Sequence, residues 1–147
     1  MKNRIGLLIA IIFLGYGLIR IGVGGALLAH TSDIISISNL AEATSEVEQF
    51  IDTRLNKQIV TFTTGRYFIY IIVMGVFLTI GAIGAISRTK WGFISLWFYI
   101  AMHAALFINF QEVNRKLFVL ALQIILLLAL IYLRPANSTK LKSITEV

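Results

Sequence analysis

Three polar side chains interrupt long apolar runs in this sequence: Arg20, His103 and Gln123. Arginine is always cationic and offers five N–H donors in a fork that fits a carboxylate or a phosphate. Histidine exchanges a proton near neutrality, and glutamine both donates and accepts hydrogen bonds. No aspartate or glutamate falls within any of the apolar runs, so Arg20 has no evident counter-ion in its own chain. A lipid phosphate, a carboxylate ligand or an acidic residue of another subunit would supply one. The plainer alternative is that His103 and Gln123 only hold helices together, as such residues often do in apolar surroundings.

Other chemistries find little support. The chain has no cysteine, which excludes disulfides and thiolate sites. His30 and His103 are the only histidines, and they are expected at different depths, so a bis-histidine haem site is not expected. A three-ligand metal site fares no better, and no cofactor or catalytic residue is assigned. Neither a phosphate-binding glycine loop, a nucleophile elbow nor an HExxH motif occurs. A membrane enzyme would have His103 as its one plausible acid–base residue. Ser95, Tyr99 and His103 recur at four-residue steps, a weakly polar stripe. It could line a path, although hydroxyls bonded back to their own helix are commoner.

The elements that must position these residues follow from composition. The 147 residues are 58% hydrophobic and 14% charged, with a mean hydropathy of +0.86. Such a chain cannot hide its apolar surface from water unless lipid forms part of its solvent. Four runs qualify as membrane spans of roughly 20 residues, with about 17 as the lower limit. They cover 5–29, 67–86, 91–110 and 117–133. The expected fold is an all-α four-helix transmembrane bundle forming one membrane domain. The net charge of +6 comes mainly from residues flanking the spans, so nucleic acid is not an expected partner.

Arg20 sits inside the first span, where a charge costs about 2.5–3.5 kcal/mol. It follows Gly17 by three residues and precedes Gly24 by four, and Ala10, Gly17 and Gly24 form a small-residue stripe at heptad spacing. Arg20 is therefore expected at a helix–helix seam. Snorkelling to the outer surface would require a reach of about 14 Å. Gly81 and Ala85 form a second small-xxx-small pair in the span over 67–86.

Basic residues set the expected topology. With the N-terminus inside, Lys2, Arg4, Arg88, Lys90, Arg134, Lys140 and Lys142 are cytoplasmic, whereas Arg54, Lys57, Arg66, Arg115 and Lys116 are not. Both termini are then cytoplasmic, with 134–147 as a tail, and the expected location is a cell membrane of the bacterial inner-membrane type. The first apolar run is too long for an ordinary cleaved signal segment and carries a mid-run arginine, so it is read as a retained span.

In the long loop, Leu40, Ala43, Val47, Phe50, Ile51, Leu55 and Ile59 recur at three- and four-residue steps. This spacing predicts an external amphipathic helix over about 39–60, opened by a cap at Asn39 with Glu42. The small-residue seams, the uncompensated Arg20 and the lack of a catalytic set together suggest an accessory or structural subunit. It would pack against another membrane protein or a second copy of itself, within membrane lipids. The alternative is a small transporter, or a protein binding a lipid or anionic ligand, with a pocket at Arg20, His103 and Gln123. No stretch of the sequence is specific enough to assign a family.

Overall fold

The computed structural model describes residues 2–113 and 115–137. Among them there are five α-helices and no strand: α1 (Lys2–Thr31), α2 (Ser38–Asp52), α3 (Thr64–Ile86), α4 (Lys90–Phe110) and α5 (Lys116–Leu133), with a 3-10 turn at Leu55–Lys57. Helices α1, α3, α4 and α5 are long and apolar enough to cross a membrane. They contain every residue of the four expected spans and extend each by one to three residues at one or both ends. The part of the tail at 138–147 lies outside the described residues.

The helices form a closed circuit in which α1 packs on α3, α3 on α4, α4 on α5 and α5 back on α1. Small residues set how closely α3 approaches its neighbours. A Cβ placed on Gly17 would lie 2.5 Å from Thr79 Oγ1, and one on Gly75 would lie 3.0 Å from the backbone nitrogen of Ile21. Gly24 meets Ile72, Gly81 meets Leu96, and Gly92 faces Gly84 and Ala85. These contacts bring helix backbones together as small residues do wherever hydrophobic force between helices is weak. The core between them is built from Phe13, Met74, Leu78, Leu96, Tyr99 and Leu127, all nearly inaccessible.

The outward faces stay apolar. Leu8, Ile12, Ile19, Ile80, Phe98 and Ile125 are each at least half exposed. Apolar exposure spread around a bundle is the reverse of what water tolerates.

One end of the bundle is closed by Arg134. Its guanidinium donates to the carbonyls of Ala85 (3.1 Å) and Ile86 (2.6 Å) and to Asn3 Oδ1 (2.6 Å). Helix C-termini leave four carbonyls without partners in their own helix, and here the arginine that follows α5 serves two of them on α3. Arg88 also donates to Asn3 (2.7 Å), so α1, α3 and α5 are tied together at this end.

The opposite end carries the long loop, which departs from the expected course. Helix α2 begins at Ser38 after Ile37, with no side-chain cap at Ile37, and it stops at Asp52. Within it the less exposed residues are Leu40, Ala43, Thr44, Val47, Phe50 and Ile51. The expected continuation to Val60 is not made, and Leu55 and Ile59 are exposed. After the 3-10 turn the backbone is claimed by other partners. Asn109 on α4 accepts from Val60 N–H (2.7 Å) and donates to the Val60 carbonyl (3.0 Å), while its own carbonyl accepts from Ile59 N–H (3.2 Å). Gln58 holds Phe62 N–H (2.7 Å) and the Ile51 carbonyl (3.2 Å). A segment whose backbone groups are already claimed cannot also close a helical ladder.

Candidate functional site

Arg20 projects from α1 toward α3 and α4. Its Nη1 contacts Met74 Sδ (3.8 Å) and its Nη2 donates to the Tyr16 hydroxyl (3.3 Å). The guanidinium lies 5.0 Å from the centre of the Tyr16 ring and 5.6 Å from that of Tyr99. Tyr16 is one turn nearer the Arg134 end, so the side chain leans back along its helix, as helical side chains do. It does not stretch toward the loop end of α1.

This environment is a poor one for a cation. Both rings face it with electron-rich surfaces, each worth about 0.5–2 kcal/mol. Neither supplies a full negative charge, and a thioether is only a weak acceptor. Among the described residues no carboxylate pairs with Arg20, and the Arg54–Glu112 ion pair does not involve it. The Arg20 Nε is buried and has no hydrogen-bond partner.

His103 and Gln123 meet directly, with His103 Nδ1 and Gln123 Oε1 2.8 Å apart across the α4–α5 interface. They do not touch Arg20. Tyr99 stands between, its ring 5.8 Å from that of His103 and beneath the guanidinium of Arg20. Tyr99 is 1% exposed, and its buried hydroxyl lies beside Gln123 without a hydrogen bond of good geometry. The three sequence candidates therefore belong to one polar column, Arg20–Tyr99–His103–Gln123, with tyrosine as the link.

The other expected features fall as follows. Gly17 and Gly24 face α3, while Gly81 and Ala85 face α4. Ser95 donates to the Phe77 carbonyl of α3 (2.6 Å), so it neither bonds back to its own helix nor opens a path. Ser95, Tyr99 and His103 are all buried. Among the described residues no group of three His, Asp or Glu side chains could hold a metal ion.

Above His103 lies a feature the sequence did not disclose, a cavity of about 60 Å³. Tyr67, His103 and Phe107 line it, Glu112 and Lys116 stand on its polar side, and Phe50 of α2 contributes from the loop. A space of this size holds water molecules or a small polar group. Phe50 packs on Phe110 with ring centres 5.1 Å apart, and Arg54 pairs with Glu112, so α2 is fastened over the opening. Tyr16 could have been found in the sequence, since it precedes Arg20 by one helical turn. Tyr67, Glu112 and Phe50 could not, because three separate elements bring them together.

Compared with known proteins, the chain matches no family model, no curated protein and no solved structure.

Proposed function

We propose that the chain is a multi-pass membrane protein that binds an oxyanion, a carboxylate or a phosphate, in the half of its bundle beneath α2. Arg20 is the charged anchor, Tyr99 a second donor, and the His103–Gln123 pair the polar wall. The observation that carries this reading is the state of Arg20. It is a permanent cation inside an apolar bundle with two aromatic faces, one sulfur and one hydroxyl around it, and with a buried Nε–H unspent. A group of that kind is stabilised by an incoming oxyanion. In this reading α1, α3, α4 and α5 span the membrane with both termini cytoplasmic, and α2 lies at the external surface with its apolar stripe inward. A reporter fused near residue 49 should read external, and a cytoplasmic signal there would reverse the orientation.

The binding test uses the detergent-solubilised protein titrated with sodium acetate or sodium phosphate against chloride at equal ionic strength. The wild type should gain thermal stability with one of the oxyanions, Arg20→Ala should lose that response, and Arg20→Lys should keep part of it, since lysine lacks the planar fork. An Arg20→Ala protein that still responds fully rules out Arg20 as the anchor.

A second reading, the accessory subunit, draws on a different observation. Gly17, Gly24 and Gly81 are engaged within the chain, but Gly15, Gly22 and Gly25 of α1 have nothing within 4 Å of an added Cβ. That open strip leaves room for a helix of another protein. Under this reading Gly22→Leu would release a co-purifying partner and leave the oxyanion response unchanged.

A further inference from the structure

A different pocket lies where α1 ends and α2 crosses it. It is an open depression of about 300 Å³, and its polar lining includes His30, Asp33, Thr44, Ser45 and Glu48. We propose that this pocket binds a primary ammonium group. The proposal is independent of Arg20 and its anion.

The walls have one chemical sense. Asp33 and Glu48 supply negative charge, and no lysine or arginine lines the pocket, although the chain as a whole carries +6. Thr44 is only 7% exposed, yet its hydroxyl has no hydrogen-bond partner. His30 Nδ1 is likewise buried and unpartnered. The neighbouring Thr31 shows that this is not general here, because its hydroxyl is spent on the carbonyls of Leu27 (3.1 Å) and Leu28 (2.9 Å). A buried polar atom left without a partner costs about as much as a lost hydrogen bond, so two in one wall call for an explanation.

The Thr44 oxygen and the two carboxylates can all accept, and so can the His30 ring nitrogen where it carries no proton, so a cationic donor satisfies them together. A bare metal ion fits poorly, since no three His, Asp or Glu side chains among the described residues come together to hold one. A quaternary ammonium also fits poorly. It has no N–H to give, and no aromatic ring lines the pocket to receive it. A primary ammonium offers three donors on a compact charge. The turn that presents the acid is itself held in place. Asp33 adopts a left-handed φ of 55°, its N–H donates to the His30 carbonyl (3.1 Å), and Ile34 N–H donates to that of Ala29 (2.9 Å). His30 and Asp33 therefore keep a fixed spacing.

The ammonium could be that of a lipid headgroup or of a soluble amine, and the two are separable. The full chain in phosphatidylcholine nanodiscs is titrated with ethylammonium chloride or tetramethylammonium chloride at equal ionic strength, with the thermal midpoint as readout. Ethylammonium should raise the midpoint and tetramethylammonium should not. Glu48→Gln, an exposed position that leaves the helix intact, should weaken the apparent affinity about tenfold, and Thr44→Val should weaken it by a similar factor. In phosphatidylethanolamine nanodiscs a lipid-occupied pocket responds to ethylammonium only weakly, whereas a pocket for soluble amines responds as before. Equal responses to the two cations, or an unchanged affinity in both variants, would overturn the proposal.

Discussion

At one end of the bundle Arg134 donates to two α3 carbonyls and to Asn3, all oxygen acceptors within 3.1 Å. Midway along α1, Arg20 has a sulfur at 3.8 Å, a hydroxyl at 3.3 Å and a buried nitrogen with no partner. The side chains are identical, and the difference is in what the fold sets opposite them. Helix C-termini gather unpaired carbonyls at a bundle end, so an arginine there finds acceptors already in place. The middle of a bundle offers fewer, because its backbone carbonyls already accept within their own helices and only a few, such as those of Phe77 and Met102, take a side-chain donor as well. An arginine at the end is therefore a clamp. One in the middle is a donor in search of an acceptor.

Three substitutions test how far that contrast extends. The largest effect is expected at the clamped end. Gly84 and Gly92 approach so closely that a Cβ on Gly84 would lie 2.8 Å from the Gly92 nitrogen. Gly84→Val should force α3 from α4 and cost about 3 kcal/mol or more, read as a lower thermal midpoint in detergent. A midpoint close to wild type would mean that this end is not tightly packed.

Next comes Arg134→Ala, which strips three hydrogen bonds from a charged donor, leaves the Ile86 carbonyl uncapped and leaves the Ala85 carbonyl with the Arg88 N–H alone. A loss of about 2–4 kcal/mol is expected, with Arg134→Lys recovering only part because one ammonium cannot reach all three acceptors. Equal stability of the alanine and arginine proteins would remove the clamp.

The smallest effect is expected at Arg20. Arg20→Met keeps the volume and removes a charge that lacks a counter-ion, so stability in the absence of ligand should be unchanged or should rise. A fall comparable to that of Arg134→Ala would show that Arg20 is as well satisfied as Arg134, and the contrast would collapse.

Legibility in the sequence followed the range of the interactions. The four long helices could be read because each is a continuous apolar run, and span length depends only on rise per residue. Arg20 stood out by its local conflict with such a run. The loop helix was readable over Ser38–Asp52, where the spacing of Leu40, Val47, Phe50 and Ile51 is a local signal, but not at its end. The apolar rhythm continues through Leu55 and Ile59, but the helix stops at Asp52, and a distant asparagine, Asn109, holds the backbone of Val60 beyond it.

The sequence by itself therefore determined where the four long helices lie and which polar residues fall within them, because periodicity and hydropathy are properties of neighbouring residues. Only the tertiary structure decided which residues Arg20 meets. Tyr99 lies 79 positions away, and its place under the guanidinium depends on how closely α1 and α4 each approach α3. That distance is set where Gly17 meets Gly75 and Gly84 meets Gly92. The same holds for the cavity above His103 and for the ammonium pocket at Thr44. Each is space left between elements, and such space follows from how helices pack rather than from any one helix.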